Sequence, residues 1–228
     1  ELYRIKSIWA LPAVPQWQNY VRAWTRSKMG NFFLNSVMVS VASVLLIDLI
    51  GAMAAYILAR FRFFGSRAIL ATFILGSAIP VQLITVPLYL MFNNLNMLDS
   101  LTGLTLVYVA VSLPFSVFVL TGFFKSLPTE LEEAAVLDGA SEYGVFWRVM
   151  LPLASPGIIT ITIFNFLGVW NEYLLALMLI NKTEKMTIPL GLYNLKVVQE
   201  YAADWAALFA GFVIVLLPTV IAFIFLQE

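Results

Sequence analysis

The chain has 228 residues, 61% hydrophobic and only 11% charged, with a formal net charge of zero and a mean hydropathy of +0.91. Cysteine and histidine are both absent, which excludes disulfides, thiol chemistry, the common Cys/His metal sites and any Ser-His or Cys-His nucleophile. Zero net charge leaves no nucleic-acid footprint. The apolar fraction exceeds that of soluble domains, and charges are kept out of long windows, so the fold class expected is all-α, a polytopic transmembrane helix bundle.

Residues 1–30 mix Arg4, Lys6, Arg22, Arg26 and Lys28 with Trp9, Trp17, Tyr20 and Trp24. That composition suits an extracytoplasmic or interfacial lead-in, and equally a plain amphipathic surface segment. The first span is expected over about residues 31–59 and contains Asp48. An acid at that depth either bonds to a neighbouring helix or touches a solute path. Gly51 and Ala55 form a small-xxx-small packing pair. Arg60, Arg62 and Arg67 mark the next turn.

The second span is expected over about residues 68–92, where Pro80 and Pro87 flank Gln82 and predict a kink. The third covers about residues 101–124 and includes Pro114. A polar interval follows, over about residues 126–155. Thr129 and Glu132 have the spacing of a capping box, with Pro128 ahead of the start. Glu130, Glu132 and Glu133 lie in the first turn, which the helix dipole favours. Gly139 is the stop, and Ser141 caps a second short helix. Spacings of three and four place Tyr143, Phe146, Trp147 and Met150 on one face of it. Ala134 and Ala135 are small enough for another backbone to approach. Periodicity alone leaves two readings open, a docking element and an amphipathic helix on lipid headgroups.

The fourth span is expected over about residues 156–180. It holds Asn165 and the cluster Trp170-Asn171-Glu172-Tyr173. Asn165 and Glu172 are seven apart and would share a helical face, as a pathway lining or as glue between helices. Residues 181–204 read as a long polar loop, and the last span, with Pro218, covers about residues 205–226. The total is about five spans. No internal repeat, low-complexity tract or separate soluble domain is evident.

Glu133-Ala134-Ala135, then Gly139, nine residues, and Val149-Met150-Leu151-Pro152 resemble the EAA signature of permease subunits in bacterial ATP-binding-cassette (ABC) importers. The family usually carries Ile where this chain has Val149. Leu127-Pro128, Asp138-Gly139-Ala140-Ser141, Pro152, Pro156 and Trp170-Asn171-Glu172 further resemble the maltose-type, MalG-like carbohydrate permeases. The resemblance implies a type I ABC importer (MetI-like) permease domain over residues 31–228, in the bacterial cytoplasmic membrane. It implies that a cytoplasmic motor grips Glu133, Ala134, Ala135, Asp138, Gly139, Tyr143, Phe146 and Pro152. The implied partners are a second homologous permease, two ATP-binding subunits or domains carrying ATP and Mg, and an extracytoplasmic sugar-binding protein. The external loop over residues 181–204 would reach that binding protein. Family members carry one more helix before this start and a short basic tail after the last span, so truncation at both ends is expected. Asp48 departs from the family, which has small or apolar residues in that region. The raw count of basic residues favours the opposite orientation, though the segments placed outside are longer: Arg60, Arg62, Arg67, Lys125 and Arg148 fall on the side placed inside. Arg4, Lys6, Arg22, Arg26, Lys28, Lys182, Lys185 and Lys196 fall on the other. The resemblance places the acidic loop in the cytoplasm.

The chain has no Gly-x-x-x-x-Gly-Lys-Ser/Thr loop, so it binds no ATP by a Walker motif and is not expected to be an enzyme. Candidates for the solute path are Gln82, Asn165, Asn171, Glu172 and Asp48. Two other classes remain as alternatives. An ion-coupled secondary transporter would have to use Asp48 and Glu172 and normally shows an inverted repeat. An intramembrane enzyme would need paired carboxylates, and no such motif is visible.

Overall fold

The computed structural model describes residues 16–25, 28–202 and 205–226. Most of the lead-in, including Arg4, Lys6, Trp9 and Arg26, lies outside the described residues, as does Asp204. What is described of the lead-in is helix α1 (Gln18–Thr25), which packs on the last helix of the chain, with Ala23 fully buried.

Two unbroken helices form the frame: α2 (Met29–Arg60) and α5 (Leu101–Ser126). Both are long and apolar enough to cross a membrane. The 32 residues of α2 extend over roughly 48 Å, well beyond a hydrocarbon core of about 30 Å. They pack mainly on each other and run parallel, so their starts meet in one hydrophobic cluster and their ends in another.

Between them the chain returns through α3 (Ser66–Ser77) and α4 (Val81–Asn94), bent by 100°. The kink expected in the second span is therefore a full break. Pro80 has no N–H to donate and leaves the helix at φ −61°, ψ 125°, where it precedes α4. Pro87, Pro114 and Pro218 are instead accommodated inside helices.

The acidic interval forms α6 (Glu130–Leu137), α7 (Glu142–Val145), a π-turn (Phe146–Met150) and α8 (Leu151–Leu153). Then α9 (Ser155–Asn171) crosses back, at 71° to the segment before it. The fourth expected span is interrupted at Glu172, an extended residue, before α10 (Leu174–Leu179).

The long polar loop expected over residues 181–204 is mostly helix: a 3-10 turn (Thr183–Lys185) and then α11 (Ile188–Ala202). Polar residues were a poor guide here. Ile188, Leu190 and Leu192 are buried in the cluster at the start of α2, and that burial holds α11 in place. At Gly191 a Cβ would overlap the Phe32 ring, so only glycine permits this approach of α11 to α2. The chain ends in α12 (Trp205–Leu226), apolar throughout. No strand occurs among the described residues.

The two hydrophobic clusters are separated along α2, α5 and α9 by a polar layer. The hydroxyl of Thr162 lies 2.7 Å from Asp48 Oδ2 and 2.8 Å from the carbonyl of Ile158. Asn165 donates to Ser116 Oγ at 2.9 Å, and both residues are buried. In an apolar surrounding such bonds spare the groups that make them, and the other Asp48 oxygen, Oδ1, is buried without a hydrogen-bond partner.

Candidate functional site

The acidic interval is an elbow with an exposed tip and a buried back. Its first helix, α6, ends in a Schellman motif. Gly139 adopts φ +85°, its N–H donates to Val136 at 2.9 Å, and the Ala140 N–H donates to Ala135 at 3.0 Å. Ser141 then caps α7 by accepting from the Gly144 N–H at 3.2 Å. Both the stop and the second cap lie where their spacing placed them.

The capping box did not form. Thr129 is helical at φ −71° and its side chain makes no cap bond. Glu132 turns away to pair with Arg60, Nε to Oε1 at 2.8 Å. A guanidinium that is only 8% exposed outcompetes a neutral N–H for a carboxylate. Arg60 also donates from Nη2 to the carbonyl of Leu127 at 2.8 Å.

The single aromatic face expected of the second helix is split in two. Phe146 and Met150 are buried, whereas Tyr143 is 80% exposed and Trp147 is half-exposed. The π-turn across Phe146–Met150 takes these residues off the 3.6-residue register. Phe146 and Met150 join Ala52, Ala55, Tyr56, Leu120, Phe124 and Ile161 in one cluster at the ends of α2 and α5. The Tyr56 ring lies 5.1 Å from Phe146 and 5.6 Å from Phe124, centroid to centroid. At the tip Glu133, Ala134, Asp138 and Gly139 are exposed, as is Pro152 further on. Ala135 is half-buried against the cluster. Leu137, at the tip, is 87% exposed.

The five pathway candidates are not gathered into one site. Asp48 is held by Thr162 and Asn165 by Ser116. Asn171 is exposed and donates to the carbonyl of Leu167 in its own helix, and Gln82 is exposed in the first turn of α4. Asn165 and Glu172 do not share a helical face, because the helix stops before Glu172. Glu172 instead accepts from the Tyr108 hydroxyl at 2.7 Å and from the N–H groups of Leu175 and Ala176, so it caps α10 and ties it to α5. An apolar cavity of about 460 Å³ lies between the bent α3–α4 pair and α5, lined by Gly76, Ile84, Phe92, Val107 and Pro114 among others, and by none of the five candidates.

At the end of the bundle away from the elbow, sequence reasoning passed over a second set of contacts. Asp99, at φ +54°, accepts from the N–H groups of Asn181 and Lys182 at 2.6 and 2.8 Å, and its own carbonyl accepts from Lys185 Nζ at 2.6 Å. Partial desolvation pushes its carboxyl pKa up. The two N–H bonds and the ammonium groups of Lys182 and Lys185 outweigh this and hold it below its ordinary value. Asn35 donates to the carbonyls of Glu184 and Met186, and Ser36 accepts from the Ile188 N–H. An Asp followed by Ser, in the Asp99-Ser100 turn, was the sequence signal that could have pointed to this clasp. Its partners more than eighty residues on were invisible.

The sequence matches the family described as binding-protein-dependent transport system inner membrane component over residues 49–228. The chain belongs to this family. It is 42% identical to the diacetylchitobiose uptake system permease protein NgcG of Streptomyces coelicolor over 224 residues, covering 98% of this chain and 74% of the relative. It is 35% identical to the sulfoquinovosyl glycerol transport system permease protein SmoH of Agrobacterium fabrum, over 98% of this chain and 78% of the relative. Its fold resembles the crystal structure of a bacterial ABC transporter involved in the import of the acidic polysaccharide alginate. The TM-score is 0.80 at 25% identity, with 98% of this chain and 82% of the other covered. This family member is thus an inner-membrane helical permease of a binding-protein-dependent transport system.

Proposed function

We propose that the chain is the permease subunit of an ATP-driven ABC importer for a carbohydrate, forms half of the translocation pathway and takes its driving force through the elbow at residues 126–155. The observation that carries the coupling role is the elbow's construction. The tip presents Leu137 and Tyr143 to solvent while the back is bonded and packed into the ends of α2 and α5. A neighbour pressing on the tip therefore moves both membrane rods, as rocking between two packed states requires. The carbohydrate class rests on the relatives, which are permeases for diacetylchitobiose and sulfoquinovosyl glycerol.

In this reading the elbow faces the cytoplasm. Two ATPase subunits or domains bind ATP and Mg, a second homologous permease completes the pathway, and an extracytoplasmic binding protein delivers the solute. The ion-coupled alternative draws no support from Asp48 and Glu172, each of which is engaged with a neighbouring helix. The test is reconstitution of the co-purified complex in vesicles. Uptake is expected to stop when ATP is withheld and to be indifferent to ion gradients. Uptake by this chain alone along a gradient would refute the reading. The ligand of the accompanying binding protein is expected to be a carbohydrate.

A further inference from the structure

We propose that Arg60 is the strut through which movement of α6 reaches the membrane rod α2, an inference that rests on the coupling reading above. Arg60 is the last residue of α2 and therefore moves with that helix. It holds α6 through Glu132 and the end of α5 through the Leu127 carbonyl, at 2.8 Å in each case. Leu127 is the residue at which α5 leaves helical geometry, just before Pro128. One guanidinium thus fastens three segments at the point where the elbow leaves the bundle.

The remaining contacts of α6 are chiefly with α7 and the π-turn, not with the long helices. The Arg60–Glu132 pair is a direct side-chain bridge from α6 to α2, and it is nearly out of water, with side chains 8% and 21% exposed. The Nη2 bond to the Leu127 carbonyl is directed, whereas Glu132 is held at Nε by charge without hydrogen-bond geometry, so the link to α6 depends on a positive charge at this position. Tyr56, one turn earlier, backs the strut by packing edge-on to Phe124 and tilted against Phe146. Arg60 is a positioning residue: it touches neither solute nor nucleotide and acts through Glu132.

The experiment measures ATP hydrolysis and solute uptake together in the assembled, reconstituted importer. Arg60→Gln is expected to lower uptake per ATP hydrolysed by about tenfold, the size of a typical coupling between sites, while the complex persists. Glu132→Gln should match it, and the double variant should lose little more, because both changes cut the same link. Arg60→Lys keeps the charge opposite Glu132 and should retain most of the coupling. A purely stabilising role would instead lower the amount of complex and leave uptake per ATP unchanged in what assembles. That result in Arg60→Gln, or losses that add in the double variant, overturns the proposal. Should Arg60→Gln fail to assemble, Glu132→Gln carries the same two outcomes, since the Leu127 bond survives in it.

The underlying reading is checked separately with a photoreactive maleimide on Leu137→Cys, a unique thiol in this cysteine-free chain. Cross-linking to the ATPase subunit together with normal coupling in Arg60→Gln removes the strut alone. Absence of any such cross-link removes the docking reading beneath it.

Discussion

Gly139 occupies the left-handed region at φ +85° with no neighbour within 4 Å of a virtual Cβ. The need for glycine there is conformational, not steric. Gly139→Ala is expected to cost about 1 kcal/mol through the left-handed penalty, read as a lower melting temperature of the purified complex. Gly139→Val should cost more and uncouple ATPase from uptake. Asp99 is a residue of another kind, because its value depends on its charge. Its carboxyl pKa is depressed in the fold, so the stability it adds is fully present above the ordinary value of 3.8 and is lost as pH falls through the lower folded value. Melting measured from neutral pH downward should therefore show an extra loss below about pH 4. Asp99→Asn, which tolerates the left-handed backbone, should be less stable at pH 7 and lack that part of the pH dependence.

Elements in this molecule are ended and joined by side chains whose partners lie far along the chain. Glu172 caps α10 and bonds Tyr108 of α5. Glu172→Ala removes a charge-assisted bond and a cap together and is expected to destabilise the α9–α10 junction by about 2 kcal/mol. Thermal unfolding in detergent measures this, and Glu172→Gln should recover part of it. The close contact of α11 with α2 allows a sharper test. Gly191→Leu would force the Phe32 ring aside, and trypsin access to residues around Lys182 and Lys185 should rise as α11 lifts. The π-turn explains why spacing misassigned the aromatic residues. Periodicity arguments assume 3.6 residues per turn throughout, and one wide turn sends Tyr143 and Trp147 to solvent while Phe146 and Met150 go inward.

At the scale of the whole molecule, α2 and α5 run as a parallel pair with a packed cluster at each end and a polar layer between. One cluster contains the back of the elbow and the other holds α10, α11 and the Asp99 clasp. An arrangement of this type suits rigid-body movement, because a well-packed cluster transmits displacement rather than absorbing it. Asp48→Asn keeps a hydrogen-bonding partner for Thr162 and should leave ATP-driven uptake near the wild-type level. Loss of uptake with assembly intact would return Asp48 to the solute path.

The helical membrane class, the long frame helices, the stop at Gly139 and the cap at Ser141 could be read from the sequence, because they follow from local composition, backbone freedom and cap chemistry. The family could also be read there, from the Glu133-Ala134-Ala135 and Gly139 pattern. Only the tertiary structure decided that Glu132 pairs with Arg60 rather than capping its own helix, that Glu172 ends one helix and starts another, and that residues 188–202 are helical. Arg60 lies 72 residues before Glu132, Tyr108 lies 64 before Glu172, and Phe32 packs on α11 from the far end of the chain; a burial or bonding energy supplied from afar adds to or overrides the weaker preference of the local segment.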